Sequence, residues 1–63
     1  MSVAENITRM RKNKNMSQAE LADKVGVAQS MIGQIERGSR VPTVILADVI
    51  AKALGGDIKD IVR

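Results

Sequence analysis

The stretch Ser17-Gln18-Ala19-Glu20-Leu21-Ala22-Asp23-Lys24-Val25-Gly26-Val27-Ala28-Gln29-Ser30-Met31-Ile32-Gly33-Gln34-Ile35-Glu36-Arg37-Gly38 decides how this chain folds. Ser17 followed by Glu20 has the form of a capping box, in which a hydroxyl and a carboxylate accept the unpaired backbone N–H groups of a helix start. Leu21, Ala22 and Val25 continue at helical spacing, and Gly26 stands where a helix can end in the left-handed conformation. From Ala28 to Arg37 a second helical pattern places Ala28, Met31, Ile32 and Ile35 on one face and stops at Gly38. The result is two short helices joined through Gly26-Val27-Ala28.

The flanking sequence repeats this punctuation. Ser2 and Glu5 form another capping-box pair, and Val3, Ile7 and Met10 predict a helix from about Val3 to Lys14, followed by a turn at Asn13 to Asn15. After Pro42, Thr43 is the expected N-cap of an apolar-rich helix running through Leu54. Gly55-Gly56 breaks it, and Asp57 is the expected cap of a last short helix from Ile58 to about Val62. No stretch alternates apolar and polar residues long enough for a strand. The prediction is therefore an all-α, compact five-helix bundle, one domain over residues 1–63. Such short helices are marginal alone in water, so their apolar faces must pack on one another.

A chain of 63 residues buries only about 60% of its unfolded-state surface, so its core is marginal and gains from reinforcement. With no cysteine and no histidine, disulfides and thiolate or imidazole zinc sites are excluded, which leaves oligomerisation. The absence of Phe, Tyr and Trp makes the core aliphatic and removes stacking on exposed bases as a way to hold single-stranded nucleic acid. No apolar run approaches the roughly 18 residues of a membrane span and no secretory signal opens the sequence, so a cytoplasmic protein is expected. The net charge of +3 is unevenly spread. Through Met16 there are four cations (Arg9, Arg11, Lys12, Lys14) against Glu5, and from Ser17 onward cations and anions balance. That basic end suits an anionic partner, although a solvated helix face gives the same pattern.

Catalytic chemistry finds no support. Without His or Cys a nucleophile and base would have to come from Ser, Lys or carboxylates, and the acids are scattered singly where capping or solvation explains them. Asp57 and Asp60, three apart at a helix start, are capping residues rather than metal ligands, and no metal or other cofactor is expected. The helical pair is more informative. It has the connection of a helix-turn-helix, whose second helix can enter a DNA major groove about 12 Å wide. On a helical wheel Ser30, Gly33, Gln34 and Arg37 face away from the apolar side, with Gln29 at the margin. Gln can pair with adenine, Ser with several base edges, and Arg with guanine or phosphate. Any surface helix also shows a polar outer face. Gly33 is harder to dismiss, because glycine there costs about 1 kcal/mol of helix stability relative to alanine unless something must come close.

Ser17-Gln18-Ala19-Glu20-Leu21-Ala22, Gly26-Val27, Ile32-Gly33-Gln34-Ile35-Glu36-Arg37-Gly38, Pro42 and Ile50-Ala51-Lys52-Ala53-Leu54-Gly55 together resemble the phage-repressor and Cro-like helix-turn-helix family over nearly the whole chain. The resemblance implies a five-helix fold, sequence-specific binding of double-stranded DNA and a part in transcriptional regulation. It places Gln29, Ser30 and Gln34 where bases are read, and Gln18 and Arg40 beside the DNA backbone, with Arg9 and Arg37 as further backbone contacts. Three departures stand out. Ala28 replaces a usual Ser or Thr cap, Gly33 replaces a polar side chain, and Val44-Ile45-Leu46-Ala47 is more apolar than the family pattern.

Arg11 and Glu36 border the buried stripes of their helices, and the resemblance implies that they form a structural ion pair. Met31 is expected to pack inward, with a thymine methyl as the alternative contact. Helix 4 carries more apolar surface than one core-facing stripe requires, so a homodimer is expected through Ile45 and Val49 together with Ile58 and Ile61 of the last helix; the alternative is that helix 4 is simply central to the monomer core. Two-fold symmetry would set two reading helices about 34 Å apart on a near-palindromic operator. A dimeric repressor is the expected function, with no small-molecule ligand. An antitoxin or restriction-modification controller, or a protein-interaction module without DNA binding, are the alternatives.

Overall fold

Three helices start where a side-chain oxygen takes an unpaired N–H group. In the computed structural model, which describes residues 2–62, the helices are α1 (Val3–Asn13), α2 (Gln18–Val25), α3 (Gln29–Arg37), α4 (Val44–Ala53) and α5 (Ile58–Val62). Both capping boxes form: Ser2 Oγ accepts from Glu5 N–H at 3.1 Å and Ser17 Oγ from Glu20 N–H at 3.0 Å, with the glutamates accepting in return from the two serine N–H groups. Thr43 Oγ1 accepts from Leu46 N–H at 3.1 Å. At α5 the expected roles are exchanged, because it is Asp60 Oδ2 that accepts from Asp57 N–H, at 2.9 Å. Ala28 occupies the N-cap of α3 with no side-chain bond.

The helices close a ring in the order α1, α3, α2, α4, α5, each packing chiefly on its two neighbours and the last returning to α1. Inside the ring lie Ile7, Leu21, Ala22, Ile32, Ile35, Ile50, Ala51, Leu54 and Ile61, a wholly aliphatic core. Helix α4 divides its surface between two environments. Ala47, Ile50 and Ala51 are buried, whereas Val44 and Ile45 are 75% and 79% exposed and Val49 is 41% exposed. Ile61, expected on a dimer-forming face, is instead fully buried. In so short a helix Ile61 closes the core with Ile58 half-buried on the same side, and Val62 is the apolar residue of α5 turned outward. No helix among the described residues is long and apolar enough to cross a membrane, and no group of three or more His, Cys, Asp or Glu among them could hold a metal ion.

Among the described residues Asn6 is a polar residue with no exposed surface in this aliphatic interior. Asn6 donates from Nδ2 to the Ile61 carbonyl at 2.7 Å and accepts at Oδ1 from Arg9 Nη1 at 3.1 Å. It fastens α5 to α1 across nearly the whole chain length. Asn6→Ala leaves a carbonyl without its donor in a dry setting and is expected to cost about 1–3 kcal/mol in urea unfolding. A loss below a few tenths of a kcal/mol would mean that water replaces the amide.

Candidate nucleic-acid interface

Gly26 makes the turn that aims α3. Its φ of 79° is a left-handed conformation that costs glycine little, and the N–H groups of Gly26 and Val27 both return to the Ala22 carbonyl, at 2.9 and 3.0 Å. The chain then leaves α2 with Val27 packed against the core and enters α3 at once. Helix α3 buries Ile32 and Ile35, with Met31 packed at the core edge as expected, and turns Gln29, Ser30 and Arg37 to solvent. Gln18, Gln29, Ser30, Gly33, Gln34 and Arg37 line one open recess of about 390 Å³. Five of these six residues carry amide, hydroxyl or guanidinium groups.

The orientation of α3 is fixed from behind. Arg11 Nε and Nη2 donate to Glu36 Oε2 and Oε1 at 2.6 and 3.0 Å, with the two side chains only 11% and 5% exposed, and Arg11 Nη1 donates to the Met16 carbonyl at 2.7 Å. Gln18 Nε2 donates to the same Glu36 Oε1 at 3.1 Å. Burial by itself pushes the Glu36 carboxyl up, but hydrogen bonds from Arg11, Gln18 and Thr8 and the charge of Arg11 outweigh it and hold the group below the ordinary glutamate value of 4.5. Glu5 and Glu20 are lowered too, chiefly by the serine backbone N–H groups of their capping boxes.

Several expected contact residues have partners within the protein. Arg40 Nε donates to Gln34 Oε1 at 3.0 Å, so Arg40 steadies a recess residue besides lying in the loop after α3. The Gln34 carbonyl accepts from Ser39 N–H and Oγ and from Arg40 N–H, which folds that loop back onto the helix end. Arg9 does not line the recess; its guanidinium is held by Asn6, and it borders a different groove along α1 with Glu5, Thr8, Lys12, Asn13 and Glu36. Gly33, expected to face outward, is buried, because the side chains of Arg37 and Gln18 lie over it. The wheel gave its direction but not its cover. Sequence reasoning also missed the bonds from Gln18 to Glu36 and from Arg40 to Gln34; the only available signal was a left-handed Gly38 that brings Arg40 back toward Gln34.

A helix-turn-helix family model matches residues 7–61. The chain belongs to the helix-turn-helix family. An uncharacterised HTH-type transcriptional regulator of Methanothermobacter thermautotrophicus is 46% identical over 52 residues, which cover 81% of this chain and 75% of that protein. The immunity repressor protein of Bacillus phage phi105 is 32% identical over 62 residues, covering 98% of this chain but only 43% of the repressor. Among solved structures, SinR, a master regulator for biofilm formation crystallised in complex with DNA, superposes with a TM-score of 0.85 at 31% identity, covering 90% of this chain and 92% of that one.

Two predictions concern the Glu36 cluster. Arg11→Met or Glu36→Leu alone strands a mostly buried charge and should cost about 2–4 kcal/mol, while the double variant should lose less than the sum; additive losses would show that the two side chains do not depend on each other. Because the folded-state value of Glu36 is depressed, the stability it contributes is complete above the unfolded-state value and disappears as pH falls through the folded-state value. Urea unfolding from neutral pH to about pH 3 should therefore show stability declining with acid, and declining less steeply in Glu36→Gln. Parallel profiles for the two proteins would contradict this assignment.

Proposed function

We propose that this chain is the DNA-reading part of a transcriptional regulator, a repressor that recognises a short double-stranded operator and catalyses no reaction. The observation that carries this reading is the recess on α3, where amide, hydroxyl and guanidinium groups gather on the outer side of the helix that follows the Gly26 turn. Such groups match the donors and acceptors of major-groove base edges. The likeness to SinR, whose structure contains DNA, supports the same reading. Gln29, Ser30 and Gln34 are the proposed base readers, and Gln18 and Arg40 the proposed neighbours of the backbone. A DNA partner supports a cytoplasmic location.

The regulator is further proposed to act as a homodimer on a near-palindromic site. Val44, Ile45 and Val49 leave an apolar strip on α4, a strip too exposed for a core this small to leave uncovered without cost. A second copy of the chain is the proposed cover, through Ile45 and Val49, with half-buried Ile58 at the margin and Val62 in place of the buried Ile61. Two-fold pairing is the commonest closed assembly and matches half-sites one DNA turn apart.

Selection from a random duplex library, followed by salt titration, tests the reading. A symmetric consensus is expected, with affinity falling steeply as salt rises. Gln29→Ala should relax preference at one position per half-site by about 1–3 kcal/mol, and Ile45→Asp should give a monomer in sedimentation equilibrium with weaker binding to the full site. Failure to enrich any sequence, with no salt dependence, would remove DNA reading in favour of a protein-interaction module.

A further inference from the structure

Gly33 remains unexplained by everything above. It stands in the interior of α3, where glycine is the poorest helix former after proline. Its φ is not left-handed, so the backbone does not require glycine. Nor does the core. Beyond its own helix backbone and chain neighbours, a Cβ built at this position would approach no backbone and no core side chain within 4 Å; it would meet Arg37 Nη1 at 3.2 Å and Gln18 Oε1 at 3.6 Å. The missing carbon is thus matched to the far ends of two polar side chains.

Helical side chains lean toward the N-terminus over the preceding turn, so the route of Arg37 passes directly across residue 33. With glycine there, the guanidinium reaches back over residue 33, one turn before its own Cα, in the recess it shares with Gln29, Ser30 and Gln34. Among the described residues Arg37 has neither a hydrogen-bond nor an ion-pair partner, whereas Gln18, Gln34 and Arg40 all do. Gln18, with Nε2 donated to Glu36, turns Oε1 toward the same space and presents an acceptor beside this donor.

We propose that Gly33 is a specificity-determining position that acts through Arg37: by omitting a Cβ it lets the Arg37 guanidinium lie in the centre of the reading face, where it recognises a guanine rather than the phosphate backbone. The proposal rests on the DNA-reading function above. A guanidinium offers a fork of donors matching guanine O6 and N7, and from the middle of α3 it points where base edges lie, whereas an extended arginine on the last turn would meet backbone.

Library selection with wild type, Gly33→Ala, Arg37→Ala and the double variant, combined with thermal unfolding of each, tests it. Wild type should select a guanine at one position per half-site. Arg37→Ala should lower that preference about tenfold and leave the other positions intact. Gly33→Ala should lose the same preference at the same position while its thermal midpoint stays level or rises, as alanine for glycine in a helix predicts. The double variant should lose no more than either single change. The proposal is overturned by an unchanged consensus in Gly33→Ala, or by a lowered midpoint in that variant, which would make glycine a packing requirement. It is equally overturned if Arg37→Ala weakens all sequences alike with a shallower salt slope, the mark of a phosphate contact. Should wild type enrich no sequence, the DNA reading falls and this inference with it; in the other three outcomes the DNA reading stands.

Discussion

The bidentate pair between Arg11 and Glu36 is the interaction on which the working arrangement depends. It joins the last turn of α1 to the last turn of α3, and its remaining donor, Arg11 Nη1, holds the Met16 carbonyl just before α2 begins. Gln18 completes the cluster from the first turn of α2. Three helices are therefore indexed to one carboxylate. A buried charge tolerates little displacement, since each lost hydrogen bond leaves it less compensated in a medium of low dielectric. An aliphatic core behaves otherwise: branched side chains of similar volume can be accommodated in more than one register. In a protein whose interior consists of Ile, Leu and Ala, the polar cluster supplies the directional constraint that packing alone leaves loose.

That constraint reaches the recess on α3 through Gln18 and through the backbone of α3. Glu36 and Arg37 are adjacent, so fixing the first inward sets the second outward, over Gly33. At the end of the same helix the Gln34 carbonyl gathers the N–H groups of Ser39 and Arg40 while its side chain accepts from Arg40 Nε. Two of the side chains that line the recess, Gln18 and Gln34, are thus held before any ligand arrives. Preorganisation of this kind reduces the conformational freedom lost on binding. Ala28 works in the opposite direction, because the first turn of α3 lacks a side-chain cap and its leading N–H groups have no side-chain acceptor.

The chain has two faces of different character. One is the polar recess of α3; the other is the apolar strip of Val44, Ile45 and Val49 on α4. A core of this size cannot bury every aliphatic residue it carries, and α4 divides its own between the interior and the surface. The apolar run Val44-Ile45-Leu46-Ala47 is therefore a surface feature as much as a core one.

What the sequence determined by itself is the set of helices and their ends. Ser2, Ser17 and Thr43 cap them, Gly26 and Gly38 stop them, and the apolar spacing places Ile7, Leu21, Ile32, Ile35 and Ile50 inside, because each of these signals acts through contacts three or four residues apart. The resemblance to repressors added the pairing of Arg11 with Glu36 and the expectation that α3 reads DNA. Tertiary structure alone decided the rest. Asn6 meets the Ile61 carbonyl across 55 positions, and Gln18 meets Glu36 across 18. Ile61 went to the core rather than to an outer face because α5 must close the ring, a demand visible only once four other helices are placed. Gly33 points outward on any wheel, yet it is buried, because cover depends on where neighbouring side chains lie and not on the direction of a Cα.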